Sequence, residues 1–363
     1  MIIILGDTKM REKINSQNKV QIGIAYLSIL LLAVNLFFST TNLQIINTDT
    51  MRYVAIGILL LNFFVVRKVK ISIYDIIIVP LCIIYYFIFS QSVALNVLVL
   101  YLISFYLRKD DIEHVKTNLL KILVAVNILW GILLLTHILP DQVSTAFGRI
   151  RHYLGFKNIN QSSLLYFPLL LLLYDRYKDR VVIKVFICMS SIGLFYLTNT
   201  RSAFYAFVFF IFITWLFKRT DKVRGIVSRL FLVLISVFTG AFLLAGKIIQ
   251  IFPVIDQLLT YRASIIARGM DTFTYWNYIV GLNEQLLDNS FVMFFSAFGL
   301  MGFIFLLFIL RRALVICEFS EWRFIVTALV YGFFESTLFI PEAILAIYFF
   351  ILLQKSLFNS EVV

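Results

Sequence analysis

Charge and metal-binding side chains are scarce in this sequence: of its 363 residues 14% are charged, and there are three cysteines and three histidines. Cys82, Cys188 and Cys317 lie in or beside apolar runs without metal-type spacing, so neither a disulfide framework nor a zinc site is indicated. A Gly-rich phosphate loop ending in Lys-Ser or Lys-Thr is missing, and with it any sign of nucleotide hydrolysis. No internal repeat is visible, which counts against the repeated halves common in transporters. The first long apolar run has no small-residue cleavage site after it, so it reads as a retained helix and not as a removed signal peptide.

What is abundant is apolar surface. Hydrophobic residues make up 61% of the chain, and the mean hydropathy is +0.94. A water-soluble domain of this length has no single core large enough to hide that much. Apolar runs of roughly 15 to 22 residues recur, about what a helix needs to cross roughly 30 Å of hydrocarbon. Charges and turn residues delimit twelve predicted helices, near 20–39, 51–66, 72–89, 91–107, 118–139, 161–174, 181–198, 202–217, 225–246, 289–310, 323–339 and 341–354. The fold class expected is all-α: a single polytopic membrane domain over 1–363, with outer loops at 140–160 and 247–288.

The net charge of +12 does not point to nucleic acid, because Lys and Arg fall between apolar runs and form no basic face. They read as topology determinants. With the N-terminus cytoplasmic, most of the 32 Lys and Arg residues, "RKVK" at 67–70 among them, land on inner segments, and both termini come out cytoplasmic. Arg52, Arg149, Arg151, Lys157, Arg201, Lys247, Arg262 and Arg268 remain outside, against that bias. Headgroup contact is one explanation. The other is a ligand: the guanidinium fork matches phosphate oxygens, and a lipid-linked diphosphate brings localised negative charge into a region of lowered dielectric.

Three stretches carry these cations. "GRIRHYLGFKNINQSS" (148–163) adds Asn158, Asn160, Gln161, Ser162 and Ser163, which suit sugar hydroxyls or a helix cap. "YLTNTRSAFYAF" holds Arg201 in a short polar turn, where it either snorkels or meets a ligand in a cavity. The segment 247–288 contains Phe252, Tyr261, Phe273, Tyr275, Trp276 and Tyr278, too aromatic for a disordered linker. One or two short amphipathic helices capping a cavity are expected there. Among the acids, Asp288 is a helix cap or a base, Glu335 in "YGFFESTLF" is placed to pair with an outer Arg, and Asp75 reads as structural.

In these features the sequence resembles the O-antigen and capsular polysaccharide polymerases (Wzy), within the wider polymerase and ligase superfamily. The residues that carry the resemblance are "RHYLGFKNINQSS", "TNTRSAF", the long outer loop with Arg, and "VGLNEQLLDNSFVMFFSAFGLMG". The resemblance implies a GT-C-like glycosyltransferase without metal or other cofactor, acting at the outer face of the bacterial cytoplasmic membrane. Its substrates would be undecaprenyl-diphosphate-linked glycans, and its partners the bilayer, a chain-length regulator and a flippase. Carried onto this chain, Arg151, Arg201 and Arg268 (or Arg262) would grip the diphosphate and stabilise it as it leaves. Arg149, Lys157, Asn160, Arg262, Asn289 and Glu335 are the candidates for substrate binding, and the acceptor-activating base stays open, with Asp288 a candidate. O-antigen ligases look similar but place a functional His in the long outer loop; 247–288 has none here. A lipid-linked oligosaccharide flippase is the other alternative, and alternating access would put its cations deep between two halves rather than in outer loops.

Overall fold

The computed structural model describes residues 2–41, 48–65, 72–146, 149–217, 221–251, 253–258, 262–271, 273–281 and 289–359. Each of the twelve apolar runs contains a helix, because a run long enough to close its own backbone hydrogen bonds has no cheaper state in an apolar medium. In chain order these are α1 (Ile2–Thr40), α2 (Thr48–Val65), α3 (Ile73–Phe87), α4 (Ser92–Leu107), α5 (Ile112–Leu135), α6 (Ser163–Arg176), α7 (Val181–Thr198), α8 (Arg201–Leu216) and α9 (Asp221–Leu243). Four short helices follow, α10 (Ala245–Ile251), α11 (Pro253–Leu258), α12 (Arg262–Met270) and α13 (Tyr275–Val280), where one or two were expected. Then come α14 (Ser290–Ile316), α15 (Phe319–Phe334) and α16 (Ile344–Asn359).

Among the described residues five helices are long and apolar enough to cross a membrane: Lys19–Thr40 of α1, α5, α7, Arg224–Leu243 of α9, and α14. Their burial is uneven in a way that fits an all-α membrane protein. The most apolar window of α14 is 61% buried, that of α7 only 17%. The outward face of α7 presents Val181, Val182, Phe186, Met189 and Tyr196, a patch that water would penalise and lipid solvates. The core is formed by α4, α14, α15 and α16, with α4 buried along nearly its whole length. Around it α1 packs on α2, α3 on α4, α5 on α6, α8 on α15 and α9 on α14.

The two ends of this bundle differ. At one end, short links are tied by buried ion pairs. Ser72 and Asp75 cap α3 reciprocally, at 3.3 and 2.6 Å. Asp75 also takes Arg108 Nη1 at 3.1 Å and the Tyr101 hydroxyl at 2.7 Å. Asp175 binds Lys116 at 2.9 Å and, on its other oxygen, Arg323. Each of these charges would be costly alone in the membrane and is neutralised by a neighbour from another helix. Asp75 is structural, as its position predicts.

At the other end lie the loops. The segment 140–160 departs from the all-α expectation, since Val143–Ala146 (β1) pairs antiparallel with Arg149–His152 (β2), Val143 opposite His152. β-branched Val143, Thr145 and Ile150 favour the pleat, and a two-stranded ribbon is free to form outside the hydrocarbon. Thr41 bridges to Phe156, and the Lys157 amide donates to the Thr40 carbonyl at 2.7 Å. A 3₁₀ turn over Ile159–Ser162 leads into α6, with Asn158 as its cap and Gln161 reaching back to the Asn158 amide.

The predicted helix over 323–339 ends early, at Phe334. Glu335 is extended (φ −141°, ψ 145°), and Ser336–Phe339 form a second 3₁₀ turn. The Ser290 hydroxyl makes this break tolerable by donating to the Glu335 carbonyl at 2.6 Å and accepting the Leu338 amide at 3.1 Å. Gly332 leaves the room required, since a Cβ there would lie 2.4 Å from Leu338 Cδ1.

Candidate functional site

The extended residue at that break is a buried acid, 6% exposed. Glu335 Oε1 accepts the Ser202 hydroxyl at 2.6 Å and Arg262 Nη2 at 3.2 Å. Three remote segments therefore converge: the end of α15, the first turn of α8 and the start of α12. Asn199 makes the α8 approach possible. It closes α7 in the left-handed conformation (φ 53°), reversing the chain so sharply that Thr200 caps α8 directly. Asn tolerates this conformation better than most residues. Arg201 and Ser202 then occupy the first helical positions, where backbone amides lack intrahelical partners and the helix dipole favours an anion. Arg201 is half-buried.

Hydroxyls surround the carboxylate. The buried phenol of Tyr166 on α6 faces Thr198, Thr200 and Glu335. Tyr331, one turn before Glu335 on α15, shares a 2.7 Å hydrogen bond with Ser163, which in turn donates to the Asn160 carbonyl at 2.5 Å. Thr337 is buried, and its hydroxyl has no hydrogen-bond partner among the described residues. A guanidinium, a carboxylate and the Ser202 hydroxyl thus meet at the loop end. Such a set can hold a phosphate on Arg262 and the α8 amides, and can accept a proton from a sugar hydroxyl on Glu335.

The structure sorts the arginines of the long segment. On α12, Ala263, Ile266, Gly269 and Met270 are buried. Arg262, at the start of that helix, reaches Glu335, whereas Arg268 is exposed, with Nε 3.4 Å from the Ser264 carbonyl. Asp256 anchors the helix by accepting the Ser264 amide at 3.0 Å. Arg149 and Arg151 are on β2, with Arg151 half-buried opposite Ser144; Lys157 is exposed. At the base of the hairpin His152 Nδ1 meets Asp141 at 2.5 Å.

Among the described residues Asn160 is linked to the site through its carbonyl, by way of Ser163. Asn289 caps α14: its Oδ1 accepts the amides of Phe291 and Val292 at 2.9 and 3.1 Å, and its Nδ2 donates to the Phe333 carbonyl at 2.8 Å. All its side-chain groups are thereby engaged in structure. Asp288 lies outside the described residues.

A second buried acid has partners of its own. Glu342, 2% exposed, binds Arg52 through Nε at 2.5 Å and Nη2 at 3.2 Å, and Asn35 at 3.1 Å. Burial pushes the Cys317 thiol, in the link after α14, up to about 12, which leaves it no nucleophile near neutral pH. Among the described residues no three His, Cys, Asp or Glu side chains converge as metal ligands. Sequence reasoning passed over Ser202, Tyr166 and Tyr331. Ser202 directly follows Arg201 and Tyr331 precedes Glu335 by one helical turn, but only the tertiary fold reveals what they face. Compared with known protein families, curated proteins and solved structures, the chain matches none.

Proposed function

We propose that this chain is a polysaccharide polymerase that joins oligosaccharide repeat units carried on undecaprenyl diphosphate, at the outer face of the bacterial cytoplasmic membrane. The observation that supports this reading is the convergence of Arg262, Ser202 and Glu335 beside Arg201, at a helix N-terminus near one end of an apolar bundle. An anion held there sits between lipid and water, where a lipid diphosphate carries its charge.

In the reaction, a hydroxyl of the incoming unit attacks the anomeric carbon that links the growing chain to its lipid diphosphate. The new bond is C–O to the acceptor. The bond that breaks is C–O to the diphosphate, which leaves with the electron pair. Arg201 and Arg262 stabilise the departing charge, with Arg268 and the hairpin cations Arg149, Arg151 and Lys157 drawing the substrate in. Glu335 takes the acceptor proton, a role for which Asp288 was the candidate in the sequence; Ser202 orients its carboxylate.

In cells, Arg201→Ala is expected to abolish long glycan while single lipid-linked units still cross the membrane and are capped. Gel analysis of surface glycan reads this directly. Accumulation of units on the inner leaflet would instead identify a flippase. The purified chain is expected to elongate lipid-linked units without added nucleotide.

A further inference from the structure

The cluster at Glu335 already holds an anion of its own. The buried carboxylate lies against the first turn of α8 and takes Ser202 and Arg262 on the same oxygen, Oε1. Arg262 and the first turn of α8 are also what the proposed reaction gives to a diphosphate. Carboxylate and diphosphate therefore compete for one guanidinium, and the diphosphate brings more negative charge to it.

Two features allow the guanidinium to change partner. First, α12 is anchored without the ion pair: Ile266 and Met270 form an apolar cluster with Val292 of α14, against Phe242, Leu243 and Phe273, and Asp256 accepts the Ser264 amide at 3.0 Å. The backbone that carries Arg262 thus stays in place while its side chain turns. Second, the contact is long. Arg262 Nη2 lies 3.2 Å from Oε1, against about 2.7–2.9 Å for a strong charge-assisted bond, and part of the Arg262 side chain is exposed.

Burial decides what then becomes of the acid. A carboxylate in a site of low dielectric that loses its neighbouring cation gains by taking up a proton. Tyr166 and Tyr331, which lie near Glu335, supply hydroxyls and no positive charge in its place.

We propose that Glu335 and the lipid diphosphate exchange Arg262, so that arrival of the donor is what turns the carboxylate into a base. This rests on the reading of the cluster as a diphosphate site. When the donor binds, Arg262 moves from Glu335 to the phosphate oxygens. Glu335 then takes the proton of the acceptor hydroxyl as the acceptor oxygen bonds the anomeric carbon, and the diphosphate leaves with the electron pair of the broken C–O bond. Once the lipid diphosphate departs, Arg262 returns and Glu335 gives its proton to water. Activation of the acceptor is thereby conditional on a bound donor, and one residue serves in turn as counter-ion and as base.

The test measures binding of inorganic pyrophosphate to the full chain in phosphatidylcholine nanodiscs, for the native chain, Glu335→Gln, Arg262→Ala and the double variant. Glu335→Gln keeps the size of the side chain and removes the competitor, so affinity should rise by about tenfold. Arg262→Ala should lower it, and in that background Glu335→Gln should change it by less than about twofold, because no guanidinium is left to exchange. A rise of the same size in both backgrounds means that the carboxylate only repels the anion, and overturns the proposal; so does an unchanged or weaker affinity in Glu335→Gln. If Glu335→Gln does not fold, Glu335→Asp takes its place, drawing the carboxylate back from Arg262, with an expected rise of about threefold; an unchanged affinity there overturns the exchange. If neither the native chain nor the Glu335 variant binds pyrophosphate, the diphosphate reading itself fails and the proposal falls with it.

Discussion

At the scale of single residues, the Glu335–Arg262 pair decides most. Both side chains are largely buried, 9% and 18% exposed, and breaking a buried pair by removing one partner costs about 3–5 kcal/mol in protein interiors. Arg262→Ala should lower the thermal midpoint in detergent, and adding Glu335→Gln should restore most of the loss without restoring polymer synthesis. If the double variant is no more stable than Arg262→Ala, the two side chains are not coupled as described. The cations of this site were legible in the sequence, because the orientation expected from Lys and Arg leaves them on the side that the positive-inside bias disfavours. Their partner was legible only in part: Glu335 stood out as an acid in an apolar run, but Ser202 is one hydroxyl among many until α8 and α15 are packed. Which of Arg262 and Arg268 reaches Glu335 likewise depends on which face of α12 is buried, and the sequence around them holds no cue to that face.

Among the elements, α13 and α14 meet at a close seam. A Cβ on Gly281 (φ 88°) would lie 2.3 Å from the Ala297 carbonyl oxygen, and one on Gly299 (φ 64°) 2.4 Å from that of Ile279. Backbone meets backbone there, and neither φ suits an L side chain. Gly299→Ala should cost more than the roughly 1–2 kcal/mol of a left-handed residue alone, and should lower the thermal midpoint much more than Gly131→Ala, which has open space around it. Equal effects of the two substitutions would contradict the seam. The twelve helices were readable because apolar runs and polar turns alternate. Their ends were less so. α5 begins at Ile112, ahead of the predicted 118, because Lys116 finds Asp175 and Glu113 and can stay helical. α15 stops at Phe334 through a bond from Ser290, far away in sequence. The β1–β2 hairpin alternates too weakly between its arginines to be read as strand.

For the molecule as a whole, the proposed reaction fixes an orientation: the hairpin end faces outward. A single cysteine placed at Ile150 in a chain freed of its own cysteines should react with a membrane-impermeant maleimide in intact cells, and one at Lys178, in the link between α6 and α7, should react only after lysis. The reverse pattern would invert the topology and remove the reaction from the outer face. The ion pair of Asp75 and Arg108 also bears on how such a chain is made. A charge at the centre of a membrane helix adds about 2.5–3.5 kcal/mol to its insertion, and one near a helix end, as Asp75 and Arg108 are, adds less; the two emerge from the ribosome on successive hydrophobic segments. Partitioning one segment at a time would strand a charge in lipid, so α3 and α4 are best delivered to the bilayer together, as a hairpin already neutralised at its base.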